Sequence, residues 1–276
     1  MTYNEICMAL ASAEIENNRG EASMLICHFC GINQAELLMR RDEDFDNEEL
    51  HNAVIRRCSH YPLQYILGYW QFCNETYRVT ADTLIPRSDT EKLVELAVKL
   101  LPEGARFIDL CTGSGCIAIS TLAARTDCRG VAVDLFEKTL EIARENAERN
   151  AVGDRLGFIA KDVLSPEFME ELGKFDCIIS NPPYIETKHM ELLDEELSFE
   201  PEAALDGGDD GLDFYRAIIG SYGKYLKDGG TMLFEIGWNQ AKAVSSISAR
   251  NGYRCEVYKD YAGNDRVAYL TKHTQA

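Results

Sequence analysis

Through residues 1–61 apolar side chains recur at helical spacing, and polar residues suited to N-caps stand ahead of the runs, Asn33 before QAELLMRR and Asp46 before NEELHNAVIRRC. With Gly31 placed to close the second helix, this segment predicts a small bundle of four short helices. From Pro62 the pattern changes. YILGYWQFCNETYRVT carries two β-rich runs flanking Asn74-Glu75, which predicts a hairpin linker over 62–82. The stretch IPRSDTEKLVELAVKLL returns to helical spacing, and Ser88 and Glu91 have the S-x-x-E spacing of a capping box. A helix is therefore expected to begin at Ser88 and to open a larger domain over 83–276.

Beyond it, strand-like and helix-like patterns alternate. ARFIDL is followed by a glycine-containing loop and CIAISTLAAR, GVAVDL by EKTLEIARENAERN, LGFIAKDV by a short acidic helix, and FDCIIS by NPPY. A helix over FYRAIIGSYGKYL, a strand over TMLFEI, another helix and two β-rich runs near 253–259 and 265–271 complete the chain. Such alternation predicts an α/β fold, a doubly wound, mostly parallel seven-stranded sheet with helices on both faces. Ligands of such sheets bind at the carboxyl ends of the strands, where the strand order reverses.

Composition narrows the function classes. With 46% hydrophobic and 27% charged residues the chain has ordinary globular content, and no run approaches the roughly 18 apolar residues that cross a bilayer. Its start, MTYNEICMALASAEIENN, contains acids and no early Lys or Arg, unlike a secretory or transit segment. A cytoplasmic location is expected. The ten cysteines are scattered, which predicts reduced thiols. Cys27 and Cys30 form a C-x-x-C within an apolar helical pattern, but no second pair completes a zinc site, so no metal is expected. A formal net charge of -18 argues against a protein that grips nucleic acid through its phosphates.

The strand ends carry the candidate chemistry. After the first strand comes DLCTGSGC, whose Gly113 and Gly115 let the backbone approach a ligand at a helix N-terminus. Ala118 stands where the dinucleotide fingerprint tolerates alanine, so this spacing leaves NAD open, as it leaves open a plain strand-to-helix turn; no P-loop sequence occurs. Asp134 ends the second strand, at the distance where an acid accepts hydrogen bonds from ribose hydroxyls. Asp162-Val163 ends the third, where an acid could meet an adenine amino group or simply cap a turn. The fourth ends in Asn181-Pro182-Pro183-Tyr184, two ladder-stopping prolines between an amide and a ring.

These residues resemble class I S-adenosylmethionine-dependent methyltransferases, and NPPY resembles the branch that methylates a planar NH2 group. More closely, nearly the whole chain resembles the release factor glutamine methyltransferase family (HemK/PrmC), in PLQYILG at 62–68, LIPRSDTE at 84–91, DLCTGSGCIAIS at 109–120, NPPYI at 181–185, FEPEAAL at 199–205 and DYAGNDRVA at 260–268. NPPY alone marks the branch; the ordered set marks the family. The resemblance implies methyl transfer from S-adenosyl-L-methionine to the side-chain amide of the glutamine in the GGQ motif of peptide chain release factors. It also implies that Cys111, Thr112, Gly113, Ser114, Gly115, Asp134, Asp162, Val163 and Asn181 hold the methyl donor, and that Asn181, Pro182, Pro183 and Tyr184 hold the substrate. In that reading the Asn181 side-chain oxygen and the Pro182 carbonyl accept the two amide N–H bonds, Tyr184 stacks on the amide plane, and the helical front domain recognises the release factor.

The chain departs from the family at three places: Cys111 stands where glycine is usual, Val163 where an aromatic is common, and Ser88 where proline is usual. Arg87 is either a structural anchor or a contact near the pocket, and Glu200-Pro201 either lines the substrate channel or forms an ordinary loop. The same NPPY site would suit an N6-adenine methyltransferase of DNA or RNA, which needs a flipped or single-stranded base and a basic channel. A non-catalytic scaffold docking a translation factor is a third reading, against which the intact Asn181 speaks.

Overall fold

In the computed structural model, which describes residues 1–272, the chain divides into two compact units, one of Met1–Tyr69 with Asp194–Phe199 and one of Trp70–Leu193 with the chain from Glu200 onward. The first unit is helical: α1 (Tyr3–Ser12), α2 (Asn18–Cys30), α3 (Gln34–Met39), α4 (Glu48–Cys58) and α5 (Leu63–Leu67). Their apolar stripes meet in a core that includes Ile6, Leu10, Leu25, Ile26 and Leu50.

The caps explain where these helices start. Asn33 opens α3 with a reciprocal capping box, accepting from Glu36 N at 3.0 Å while Asn33 N donates to the Glu36 carboxylate at 2.8 Å. Gly31 closes α2 in the left-handed region, at φ 63°. The cap of α4 is Asn47 and not the expected Asp46. Its Oδ1 accepts from Leu50 N at 3.0 Å while its Nδ2 donates to Phe29 O at 2.9 Å, a second bond for which an aspartate has no donor. Leu63–Leu67 was expected to lead into β structure and is instead the short helix α5, closed by Gly68 at φ 76°.

The hairpin pairs β1 (Tyr69–Phe72) with β2 (Glu75–Arg78). Its turn is Cys73-Asn74 rather than Asn74-Glu75, and Cys73 adopts φ +52°. The Cys73 N–H donates to Glu91 at 2.9 Å. That bond corrects the reading of Ser88 as well. Glu91 is committed to the hairpin, residues Ser88–Thr90 form a 3-10 turn without a side-chain cap, and the α-helix α6 spans Glu91–Leu100.

The rest of the second unit alternates as expected: β3 (Arg106–Leu110), α7 (Cys116–Ala124), β4 (Arg129–Asp134), α8 (Glu137–Arg149), β5 (Leu156–Ala160), β6 (Phe175–Ser180), α9 (Asp213–Ser221), β7 (Leu226–Glu235), α10 (Ala241–Arg250), β8 (Tyr253–Lys259) and β9 (Asp265–Lys272). After β5 the expected acidic helix is a 3-10 segment, Pro166–Glu171. The helix expected over FYRAIIGSYGKYL ends at Ser221 and passes through a 3-10 turn into β7.

One seven-stranded sheet results, in the order β5-β4-β3-β6-β7-β9-β8, with β9 antiparallel to both neighbours. Its central strands are apolar on both sides because both faces are covered. Phe107, Cys177 and Ile179 pack with α6 and α7, and Ile108, Leu110, Ile178 and Phe234 pack with α9 and α10. From β3 the chain winds outward through β4 and β5, then returns to place β6 on the other side of β3. The crevice at the carboxyl ends of β3 and β6 is thus the switch point of the sheet.

Candidate active site

The loop after β3 is shaped by a short series of bonds. Cys111 adopts φ +59°, and Thr112 follows with its N–H on Val133 O at 3.0 Å and its hydroxyl on Asp109 Oδ2 at 2.6 Å. Gly115 N donates to Thr112 O at 2.9 Å, closing the turn into α7. The two glycines serve different ends. At Gly115, φ is +81° and a Cβ would stand 2.9 Å from Ile119 Cδ1 and 3.3 Å from Ala143 Cβ, so glycine lets α7 and α8 approach. At Gly113, φ is +55° with nothing within 4 Å of a built Cβ, so the backbone there faces open space.

Gly113 N–H donates to Asp134 Oδ2 at 3.0 Å, and the other carboxylate oxygen accepts from Phe136 N at 3.2 Å. Burial pushes the Asp134 carboxyl up, while the amides of Gly113, Phe136 and Leu135 pull it down. At the end of β5, Asp162 Oδ1 accepts from Leu164 N at 2.8 Å, and the Val163 carbonyl accepts from Tyr222 OH at 2.6 Å.

The NPPY turn leaves the end of β6, where the Ser180 hydroxyl donates to Leu110 O at 2.7 Å and ties β6 to β3. Asn181 Nδ2 donates to Thr90 Oγ1 at 3.4 Å. Pro182 and Pro183 are buried. Tyr184 directs its hydroxyl at Glu235 Oε1, 3.4 Å away, and its carbonyl accepts from Gln240 Nε2 at 2.9 Å. Downstream chain also holds the turn: Ile185 N donates to Leu205 O at 2.9 Å, and Gly207 N to Ile185 O at 2.8 Å.

These strand ends surround one cavity of about 660 Å³. Of the residues expected at the site, Cys111, Gly113, Asp134, Asp162, Val163, Asn181 and Pro183 line it. Thr112, Ser114, Gly115, Pro182 and Tyr184 adjoin these residues in sequence but are not part of the lining. Thr112 and Ser114 are buried, with the Ser114 carbonyl accepting from Asn146 Nδ2 at 2.9 Å, and the Tyr184 ring packs against the core on the α9 and α10 side of the sheet. Arg87 pairs with Glu200, whose second oxygen accepts from Ile85 N at 3.0 Å, so both residues fasten the segment before α6 to the chain at 200. Pro201 lines the cavity, with Glu202–Ala204, Asp206–Gly208, Leu84 and Phe214. Of the Glu200-Pro201 pair, read as channel lining or ordinary loop, Pro201 lines the cavity and Glu200 does not; the remainder of the wall was not expected, since a 3-10 turn and loop carry no periodicity to read.

Two buried carboxyls contact these segments, Asp109 at Thr112 and Glu235 at Tyr184. Asp109 is pushed up to about 7 by burial, against the pull of the Thr112 hydroxyl and the Ala118 amide. Glu235 is pushed up to about 7, again by burial. Among the described residues no cluster of three or more His, Cys, Asp and Glu side chains could hold a metal ion, all ten cysteines are free thiols, and no helix is long and apolar enough to cross a membrane.

The chain is similar to known proteins over most of its length. Residues 2–68 match a family model described as the PrmC N-terminal domain, and residues 89–208 match the methyltransferase small domain. The chain is 39% identical over 265 residues to the release factor glutamine methyltransferase of Geobacter sulfurreducens, covering 94% of this chain and 91% of that one. It is 40% identical over 264 residues to the enzyme of the same description from Thermodesulfovibrio yellowstonii, covering 92% and 93%. The fold is shared with the crystal structure of a methyltransferase from Pyrococcus furiosus, at a TM-score of 0.52 and 21% identity over 71% of this chain and 87% of that one.

Proposed function

The chain belongs to the release factor glutamine methyltransferase family, and from that premise we infer that it methylates the side-chain amide nitrogen of the glutamine in the GGQ motif of peptide chain release factors, with S-adenosyl-L-methionine as methyl donor. The observation that carries this reading is the meeting of Asn181 and Pro183 of the NPPY turn with Gly113 and Asp134 on one cavity. The donor suits that cavity on two counts. The space over Gly113 is open to a ligand, and the lining includes the acids Asp82, Asp134, Asp162, Glu202, Asp206 and Asp213, which favour a cationic guest. Asp134 would hold its ribose, the backbone at Cys111 and Gly113 its amino-acid part, and Asp162-Val163 its base. When bound, the donor supplies an already electrophilic methyl group on sulfur.

What the protein must add is orientation. A primary amide nitrogen is a poor nucleophile because its lone pair is delocalised into the carbonyl. Holding it in line contributes several kcal/mol, up to about 7–11 kcal/mol in well-oriented reactions. Asn181 Nδ2 is already engaged by Thr90, which leaves Asn181 Oδ1 to accept one N–H of the target amide. The Pro182 carbonyl accepts the other. Both are acceptors, so both also stabilise positive charge developing on that nitrogen. The alkylated amide is acidic enough to lose its proton to water, and no buried base is required. The helical unit, which matches the PrmC N-terminal domain, is assigned to recognition of the release factor.

The test uses the full chain with methyl-labelled S-adenosylmethionine, offered release factor and adenine-containing DNA in parallel. Label is expected in the release factor, at the GGQ glutamine. Asn181→Ala is expected to abolish transfer while keeping donor affinity within about twofold, since it removes an interaction with the amide. Label in DNA alone, or full turnover by the Asn181 variant, overturns the assignment.

A further inference from the structure

Behind Asn181 runs a chain of polar groups that the reaction so far leaves unused. Asn181 Nδ2 donates to Thr90 Oγ1. Thr90 is only 2% exposed and stands at the entry to α6, and its side chain lies close enough to the Glu235 carboxyl, at the carboxyl end of β7, to favour that carboxyl's charged form. On its other side that carboxyl receives the Tyr184 hydroxyl at 3.4 Å, while Glu235 Oε2 has no hydrogen-bond partner among the described residues. Two members of the NPPY turn, Asn181 through Thr90 and Tyr184 directly, thereby come close to one buried carboxyl.

The order of donors along this chain follows from the inventory of each group. An ionised carboxylate only accepts, and a hydroxyl has a single proton. Glu235 therefore draws the Thr90 proton toward itself, and the Thr90 lone pairs are what Asn181 meets. Lone pairs select the NH2 end of the Asn181 amide and turn its oxygen the other way. We propose that Thr90, oriented by Glu235, is a positioning residue that sets which end of the Asn181 amide faces the substrate. The proposal rests on the reading of Asn181 as the acceptor of the target amide.

A dependence on pH follows. Glu235 is pushed up to about 7 by burial; the Thr90 hydroxyl, the Arg266 guanidinium on β9 and the Tyr184 hydroxyl pull it down, and Asp89 pushes it further up. Tyr215 of α9 and Cys116 of α7 are the other titratable groups that feel its charge. Once protonated, Glu235 can donate to Thr90, which frees the Thr90 proton for Asn181 Oδ1. The amide is then held by the wrong end, so turnover is expected to fall as pH drops through neutrality.

The experiment compares the parent with Thr90→Val, Thr90→Ser and Asn181→Ala, measuring kcat, KM for release factor, donor affinity by calorimetry, thermal unfolding and the pH profile of kcat. Thr90→Val is expected to lower kcat about fivefold to tenfold, the net worth of roughly one hydrogen bond, with KM and donor affinity unchanged and the acid limb gone. Thr90→Ser is expected to restore both kcat, to within about twofold, and the limb, since it keeps the hydroxyl. Parental kcat in Thr90→Val, or no recovery in Thr90→Ser, overturns the proposal. If Thr90→Val does not fold, Glu235→Gln decides: an acid limb that survives there overturns it too. Full activity of Asn181→Ala would instead remove the premise, whichever way the Thr90 variants behave.

Discussion

Replacing Gly207 by alanine tests whether the NPPY turn is rigid because chain is packed against its back. A Cβ at Gly207 would stand 2.7 Å from Tyr184 Cα, 2.8 Å from Pro183 O and 3.0 Å from Gly211 Cα. All three are main-chain atoms, so no side chain can swing aside, and the turn or the 205–208 segment must shift. The backbone is also fixed from the other direction, by Gly207 N on Ile185 O at 2.8 Å and Ile185 N on Leu205 O at 2.9 Å. Overpacking of this kind costs about 1–3 kcal/mol. At about 2–4 °C per kcal/mol, Tm should fall by several degrees. The larger consequence is for rate, because a displacement near 1 Å of the acceptors around Asn181 is worth about a hundredfold. Thermal unfolding and kcat with labelled donor measure the two effects. The control is Gly157→Ala in β5, where the nearest atoms lie 4.0 Å from a built Cβ, and which should match the parent in both. A Gly207→Ala protein with parental Tm and kcat would refute the view that main-chain contact at Gly207 holds the turn.

Two further predictions follow from the acids of the site. Asp134→Asn keeps the shape of the side chain but removes its charge, and should weaken donor affinity about tenfold to a hundredfold, as expected for a charge-assisted hydrogen bond of about 1.5–3 kcal/mol, with kcat at saturating donor nearly unchanged; calorimetry giving parental affinity would discard the ribose role. Glu235 makes stability depend on pH in a defined direction. Its folded value, about 7, lies above that of an unfolded glutamate, so between about pH 4 and 7 the folded state holds a proton that the unfolded state has lost. Stability is therefore fully present at the acid end and declines by on the order of 1.4 kcal/mol per pH unit as pH rises toward 7, then levels off. Glu235→Gln lacks this slope, so urea unfolding across that window should show the variant gaining on the parent; a gap independent of pH would contradict the assignment.

Much of the fold was legible because it is written in local pattern. Strand runs such as FIDL and CIIS are largely apolar on both faces, and strands alternate with helices of their own period, which is the signature of a covered parallel sheet. The failures have specific physical causes. Glu91 satisfied the spacing of a capping box, yet a backbone N–H eighteen residues upstream, at Cys73, took its carboxylate. Asp46 and Asn47 are both good caps, and the choice fell to the one that could also donate to Phe29 O on another helix. The insertion of β9 between β7 and β8 is a pairing over distance that no local pattern encodes. At the site, the ends of β3, β4, β5 and β6 were readable because chemistry at a switch point collects there. Apart from Pro201, the wall at 202–208 was not, nor were Thr90 and Glu235, since their roles arise only when distant segments fold against the NPPY turn.

The same wall bears on what the turn can select. An N-P-P-Y surface offers acceptors to any planar NH2, and adenine presents one as readily as glutamine does. The two substrates differ in what accompanies that group. A base arrives on a phosphate backbone and needs cationic side chains along its path. Among the described residues lining the cavity there is no Lys or Arg, while Asp82, Asp134, Asp162, Glu202, Asp206 and Asp213 are all acids. Such a lining repels phosphodiesters and tolerates a glycine-rich peptide loop, which carries no charge of its own. The charge of the surrounding wall, more than the motif, would then set the discrimination, and a net charge of -18 acts in the same direction.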